Sequence, residues 1–268
     1  MTALRIATWN INSLRLRLGL LKDLVGALDP DVICLQETKV PDPLFPHDAP
    51  AALGYPHYVF RGMKGYNGVA ILSRRPLTAH DIAPDWCGKG DCRHIAALVE
   101  TASGPIEVHN FYVPAGGDVP DREQNPKYGH KLDFIAETRA WFDARAGLNR
   151  AVIVGDLNIA PQEHDVWSHK QLLDVVSHTP PETEGLNAWM GAGFVDALRH
   201  FVPAEEKLYT WWSYRNRDWR VANRGRRLDH IWVTPDLKPA LRSHTVLTDA
   251  RDWERGSDHV PVCVELAV

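Results

Sequence analysis

Eight residues able to bind a cation or move a proton stand at the ends of short apolar runs. Ile-Ala-Thr-Trp-Asn ends at Asn10, and Val-Ile-Cys-Leu-Gln-Glu ends at Glu37. His-Asn-Phe-Tyr ends at Tyr112, and Val-Ile-Val-Gly-Asp-Leu-Asn carries Asp156 and Asn158. Arg-Leu-Asp-His-Ile-Trp puts Asp229 where a run begins, and Ser-Asp-His-Val puts Asp258 and His259 just before the last run. Taken singly, an acid after a strand is usually a solvated loop charge. Together these residues suggest one site. Glu, Asp and Asn oxygens suit a hard cation such as Mg²⁺, which keeps several waters and takes few protein ligands. An Asp and a His nearby can handle a proton. With no Ser or Cys nucleophile elbow, the chemistry points to metal-assisted attack by water.

Such residues must be brought together by the elements that carry them. The apolar runs Ile6–Trp9, Val32–Leu35, Val69–Leu72, Ala96–Val99, Ile106–Val113, Ala151–Val154, Ile231–Val233 and Val260–Leu266 are mostly β-branched and suit strands of a buried sheet. Leu14, Leu18, Leu21, Val25 and Leu28 keep one helical face and predict a helix between the first two strands. Further helices are expected over His130–Arg145 and near Ser168–Val176 and Leu186–Met190. Strands and helices interleave, with hairpin-like pairs, which predicts an α/β layered sandwich of mixed sheets with helices outside. The proline clusters at Pro41–Pro50 and Pro180–Pro181 are too short to be linkers, so residues 1–268 read as one domain.

Composition narrows the function classes. The chain has 268 residues, 44% hydrophobic and 24% charged, the balance of an ordinary globular protein. No apolar run reaches membrane-spanning length, and MTALRIATWN lacks the pattern of a signal peptide. Four cysteines are too few for a disulfide scaffold, so reduced thiols and a cytoplasmic location are expected. The net charge of −4 argues against a simple electrostatic DNA binder.

The segments TWNINSLR, LQETK, NFYVP, GDLNIAP, RRLDHIW and GSDHVPV, in this order from Thr8 to Val262, resemble the exonuclease III family of abasic-site endonucleases. That family lies in the endonuclease/exonuclease/phosphatase superfamily. GDLN and SDH belong to the whole superfamily; LQETK, WWSYR and GRRLDHIW are more specific to its DNA repair branch. The resemblance implies a four-layered α/β sandwich, deoxyribonuclease-I-like, with the site at one end. It implies Glu37 as principal metal ligand, Asn10 beside it and Asp258 close by, with Asp156, Asn158 and His259 as ligands of any second metal. Asp156 would orient or deprotonate the attacking water, and Asn158 would hold Asp156 and the phosphate. Tyr112 would contact the phosphate, and His259, oriented by Asp229, the scissile phosphate. Whether Asp156 or His259 is the base stays open. Two positions depart from the family pattern. Ala115 stands where a Gln is common, and His230 where an apolar residue is; the latter reads better as a strand histidine than as a ligand.

The implied activity is Mg²⁺-dependent hydrolysis, with Mn²⁺ as an alternative ion, of the phosphodiester 5′ to an abasic site in duplex DNA. Removal of nucleotides and blocking groups from 3′ ends would accompany it. The rival is a superfamily phosphodiesterase acting on a small or lipid phosphate ester. No membrane and no obligate protein partner is expected, and the enzyme would be a monomer. Arg215–Arg227 holds six arginines and one aspartate, net +5, so the rest of the chain is −9. A charge run is usually a solvated face. Interleaved tryptophans make this one a candidate DNA surface, with Arg215 and Arg220 on phosphates and, by motif position, Trp211 lining the abasic-sugar pocket. Trp212 reads as core. Arg61, Lys64 and Asn67 form a glycine-rich loop that suits either a DNA grip or an ordinary turn. Cys87, Cys92 and His94 lack the second ligand pair of a zinc site. His164 and His169 read as surface or capping residues.

Overall fold

The computed structural model describes residues 2–268. Its strands are β1 (Ala3–Asn10), β2 (Val32–Gln36), β3 (His57–Arg61), β4 (Val69–Ser73), β5 (Leu77–Ala79), β6 (His94–Val99), β7 (Ile106–Tyr112), β8 (Ala151–Asp156), β9 (Val195–Asp196), β10 (Asp229–Val233), β11 (Leu241–Val246) and β12 (Val262–Ala267). The α-helices are α1 (Leu20–Leu28), α2 (Asp48–Ala52), α3 (Pro126–Asp143), α4 (His169–Leu172), α5 (Pro180–Met190), α6 (Ala197–Phe201) and α7 (Trp219–Ala222). The strands form two six-stranded mixed sheets, ordered β11-β12-β1-β2-β4-β3 and β5-β6-β7-β8-β10-β9. The sheets pack face to face with helices outside, the four-layered sandwich expected from the sequence. No helix among the described residues is long and apolar enough to cross a membrane.

Side-chain parity builds the layers. In a strand, alternate residues face opposite sides. Leu4 and Ile6 of β1, Val32 and Cys34 of β2, Ile106 and Val108 of β7, Val152 and Val154 of β8, and Ile231 and Val233 of β10 share the apolar layer between the sheets. The odd-numbered Trp9, Ile33 and Leu35 instead pack with Leu21 and Leu24 of α1. The same alternation, carried to the strand ends, puts Asn10, Gln36, Asn110, Tyr112, Asp156 and Asp229 on the inter-sheet side. The interior therefore turns polar at one end. There Gln36 Nε2 donates to Thr8 Oγ1 at 2.9 Å and to Asn110 Oδ1 at 2.7 Å, and Asn110 Nδ2 donates to the carbonyls of Leu35 and Ala70.

Every strand expected from an apolar run is present, but some boundaries and helices differ. The helix anticipated from Leu14 begins only at Leu20: residues 14–19 form turns, and the Ser13 and Leu14 N–H groups bond to the carbonyls of Glu37 and Thr38. Leu14 and Leu18 still join the α1 core, so the apolar spacing reported burial rather than helix. The helix expected near Ser168–Val176 shrinks to α4. α5 starts earlier than expected, at Pro180, because Pro181 is tolerated in a first turn and Thr179 and Glu182 close a capping box. Strands β3, β5, β9 and β11 were not anticipated: β5 and β9 are only two or three residues long, and all five positions of β3 are partly exposed.

Two devices fix the strand ends. Gly155 has φ of 141°, and a Cβ there would lie 1.9 Å from the carbonyl oxygen of Phe111, so only glycine lets β8 approach β7 just before Asp156. Arg227, fully buried, donates to Asp165 through Nε and Nη2, both at 2.8 Å, and to Asp196 through Nη1 at 2.6 Å. Asp165 is also bound by Arg199 at 2.5 Å. This ion cluster anchors the entry into β10 two residues before Asp229. Arg227→Met should destabilise the protein by about 3 kcal/mol, because two carboxylates stay in a dry site with one remaining cation. Urea unfolding checks this; a loss below ~1 kcal/mol would mean that water reaches the cluster and the pair is effectively solvated.

Candidate active site

The C-terminal ends of β1, β2, β7 and β8 and the starts of β10 and β12 lie at the same end of the sandwich, as the parallel and antiparallel pairings require. Register sets Asp156 opposite both Asp229 and Tyr112. The Asn10 carboxamide joins the sheets: its Nδ2 donates to Glu37 Oε1 at 2.9 Å and to Asp156 Oδ2 at 2.8 Å, and lies 3.5 Å from His259 Nε2. His259 Nδ1 is 2.9 Å from Asp229 Oδ2, and its Nε2 is 3.6 Å from Asp156 Oδ2. Thr210 Oγ1 donates to the same Asp229 oxygen at 2.6 Å. Asn158 holds Asp156 twice, through its backbone N–H at 2.9 Å and through Nδ2 at 3.1 Å.

Asp258 joins less directly. Asn12 Nδ2 donates to its Oδ1 at 3.2 Å, and Trp211 Nε1 to its Oδ2 at 2.9 Å. Asn12 Oδ1 accepts from Lys39 Nζ at 2.6 Å, and Lys39 pairs with Glu37 Oε2 at 2.8 Å. Asn12, Lys39 and Thr210 were not singled out from the sequence. Their signal was spacing: Asn12 follows Asn10, and Lys39 follows Glu37, by two residues. The backbone is unusual at the same places, with φ of 48° at Asn12, 50° at Glu37, 52° at Lys39 and 55° at Asn158. Non-glycine residues adopt such values rarely, and they concentrate at functional sites. A buried ion pair supports one of these turns: Lys131 Nζ, 2.5 Å from Glu182, donates to the carbonyl of Asn158 at 2.8 Å.

Electrostatics distinguish the groups. Burial works against charge on His259, but Asp229 and Asp156 outweigh it and hold the imidazolium well into the basic range. Burial, with Asp229 and Glu37, pushes the Asp156 carboxyl up despite His259 and Asn10. Burial opposes the charge on Glu37, yet Lys39 and Asn10 keep its carboxyl low. Burial and the charges of Glu37 and Asp156 keep the Tyr112 phenol protonated. Asp229 Oδ1 is buried without a partner. Four carboxylates, at Glu37, Asp156, Asp229 and Asp258, thus face two cations, Lys39 and His259. The remaining two negative charges and the all-oxygen donor set of Asn10, Glu37 and Asp258 fit a hard divalent cation. Asp156, Asp229 and His259 offer ligand atoms within 4.8 Å of one another, but the Asp229–His259 contact already engages one imidazole nitrogen.

The expected DNA-contacting residues scatter around this centre. Trp211 abuts Asp258, and Arg215 is exposed in the cleft next to it. Arg220 stands differently from the expectation, because Asp252 and Asp249 both engage its guanidinium at 2.6 Å and neutralise it. Asn67 is buried with φ of 55°, its side chain donates to the Asp91 carbonyl and its own carbonyl accepts from Lys39 N–H, so it shapes a turn. Arg61 ends β3, and Lys64 is exposed in the loop that follows. Trp212 is core, as anticipated. His230 Nε2 is 2.8 Å from the Ile159 carbonyl, and burial lowers its pKa to about 4, so it is a neutral strand histidine. His94 contacts His109 at 3.0 Å and Trp86 at 3.3 Å, away from any thiol ligand set. His169 is bound to His178 at 2.7 Å.

Known proteins resemble this chain in sequence and in fold. The Endonuclease/Exonuclease/phosphatase family profile matches residues 7–259. The chain is 32% identical to exodeoxyribonuclease III of Haemophilus influenzae, covering 98% of this chain and 99% of that one. It is 33% identical to the DNA repair nuclease APEX1 of Danio rerio, covering 99% and 83%. Among solved structures, an AP endonuclease from Archaeoglobus fulgidus superposes with a TM-score of 0.88 at 33% identity, over 99% of this chain and 100% of that one. A Neisseria 3′ phosphatase bound to product DNA hairpin gives 0.89 at 33% identity with the same coverage. The chain therefore belongs to the endonuclease/exonuclease/phosphatase family, in the branch that holds the exonuclease III and abasic-site endonuclease DNA repair nucleases.

Proposed function

We propose that this protein is a Mg²⁺-dependent DNA repair nuclease, acting as a monomer and as one domain over residues 1–268. It hydrolyses the phosphodiester 5′ to abasic sites in duplex DNA and trims or unblocks 3′ ends. The observation that carries this reading is the Asn10 carboxamide bridging Glu37 and Asp156 beside the Asp229–His259 pair. Glu37, Asn10 and Asp258 are the residues that would hold the ion. Bound Mg²⁺ supplies charge neutralisation at the phosphate and the departing 3′ oxygen.

The chain's own residues do the rest. Asp156 has the raised proton affinity of a base and is fixed by three hydrogen bonds, from Asn10 and twice from Asn158, so it takes the proton of the attacking water. His259, kept charged by Asp229, donates from Nε2 to a phosphate oxygen; an imidazolium held this way is a poor base, which favours Asp156 for that role. Tyr112, protonated and aimed at the same end, donates to the phosphate as charge develops. Trp211 walls the space beside the phosphate where a sugar without a base would lie.

Three outcomes test this. Glu37→Gln should lower abasic-duplex cleavage about 10²-fold at low Mg²⁺ and recover in part at high Mg²⁺. Undiminished activity at low Mg²⁺ would remove Glu37 from the metal site, and cleavage of only a soluble phosphate ester would overturn the substrate. In single-turnover kinetics Asp156→Asn should lose roughly 10⁴-fold with DNA binding intact, and Asp229→Ala less, since it acts through His259. Equal losses would require direct substrate contact by Asp229. Across a salt series, Arg215→Ala should reduce the slope of DNA binding by about one unit, whereas Arg220→Ala should not, because its charge is already neutralised. A slope change for Arg220→Ala would mean that its ion pairs open on DNA.

A further inference from the structure

Next to the catalytic cluster lies a cleft of ≈ 1010 Å³. Its lining includes the indoles of Trp167 and Trp211, three arginines, Arg215, Arg224 and Arg226, and one carboxylate, Asp118. Arg224 stacks on Trp167 with its guanidinium carbon 4.7 Å from the ring centre, and Arg226 on Trp211 at 5.4 Å. Trp211 forms bridge pairs with both Arg226 and His259. Two inter-strand spacings, about 10 Å, therefore separate the backbones of Arg226 and His259. Arg226 and His259 thus flank Trp211, one on each side.

Among the three arginines of this cleft, none of which makes an ion pair among the described residues, Arg226 is the one whose guanidinium is fixed by hydrogen bonds. Arg227 and Arg199 end on Asp165, and Arg220 on Asp249 and Asp252. Arg226 makes no ion pair among the described residues. Its Nη1 donates to the Val176 carbonyl at 3.0 Å and to Ser177 Oγ at 2.7 Å, which fixes the plane of the guanidinium. Nε and Nη2 have no protein partner, and neither is sealed from solvent. Burial disfavours its charge, and the acid that favours it, Glu182, is itself paired with Lys131. Ser177 is held in a rare backbone conformation, φ of 88°, by two bonds from its N–H to the Glu182 carboxylate. The fold thus holds Ser177 in a strained turn and fixes an unpaired cation in the wall of a cleft whose lining mixes indoles with polar and charged side chains. A half-buried charge without a counterion is costly unless a ligand completes it. A neutral deoxyribose does not.

We infer that Arg226 is a specificity-determining residue that binds an anionic group carried on the retained side of the scissile phosphate, the side that leaves with the phosphorus. This rests on the nuclease reading above. The anion has two chemical sources. One is a short carboxylic acid esterified to a 3′-terminal phosphate, the remnant of an oxidised sugar. The other is the next phosphate of an internal abasic site.

Two matched pairs of duplexes distinguish them. In the first, the 3′-terminal phosphate carries either glycolate or neutral ethylene glycol. In the second, the linkage 3′ to an abasic sugar is either a phosphodiester or a neutral methylphosphonate. The readout is the ratio of kcat/KM for the charged over the neutral member, in the wild type, Arg226→Gln and Arg226→Lys. The wild-type ratio should be roughly tenfold in at least one pair, the size of a charge-assisted hydrogen bond. It should fall to near one in Arg226→Gln and recover in part in Arg226→Lys. A preference in the first pair alone assigns the carboxylate, and in the second alone the downstream phosphate. Wild-type ratios near one in both pairs, or equal losses on charged and neutral members in Arg226→Gln, would overturn the inference while cleavage itself upholds the nuclease reading. Failure of the wild type to cut any of the four would overturn both.

Discussion

The Asn10 carboxamide donates to a carboxylate from each sheet, to Glu37 at 2.9 Å and to Asp156 at 2.8 Å. Both acids would repel each other in a dry sandwich end, and a neutral donor pair between them relieves part of that repulsion. The geometry of the whole site depends on this contact. It holds only if β1 and β8 keep their registers, since a one-residue slip would turn Asn10 or Asp156 to the opposite face. The apolar layer below, from Leu4 and Ile6 to Val152 and Val154, enforces those registers because slipping would expose it. Core packing and site geometry are in this sense one constraint.

The site accumulates what a stable core avoids. Aspartates 156 and 229 are buried, one Asp229 oxygen lacks a partner, and four non-glycine residues around them have positive φ. Each feature disfavours folding by an amount of order 1–3 kcal/mol. Buried pairs below and beside the site counter them by fixing its turns. Lys131 and Glu182 brace Asn158, and Arg227 with Asp165 and Asp196 braces the approach to Asp229. The surplus negative charge left inside is what a divalent cation and a phosphate together would balance.

The arginine-rich segment shows how one composition serves three physical purposes. Arg227 is a buried structural cation, Arg220 a surface cation neutralised by two aspartates, and Arg226 an oriented cation with two free donors. Their sequence context is nearly uniform, RNRDWRVANRGRR, so no local rule separates them. The difference lies in which carboxylates the fold brings near: Asp165 and Asp196 come from distant parts of the chain, and none pairs with Arg226, since Glu182 is taken by Lys131.

Much of this protein was legible in its sequence. The β-branched runs located the core strands because burial on both faces of a sheet selects such residues over a few positions. The polar residue closing each run marked a strand end, and the ordered motifs from TWNINSLR to GSDHVPV carried the family. Short or half-exposed strands such as β3 and β9 were not legible, since their residues bury too little apolar surface to leave a pattern. Nor were the turns from Leu14 to Gly19, where apolar spacing suited a helix but bonds from Ser13 and Leu14 to the carbonyls of Glu37 and Thr38 tied the chain to the end of β2. Which residues could do chemistry was therefore set by the sequence itself. Which of them touch, which arginines are neutralised and which are left free was decided only by the tertiary structure, because hydrogen bonds and ion pairs act over a few ångströms between residues up to 266 positions apart in the chain.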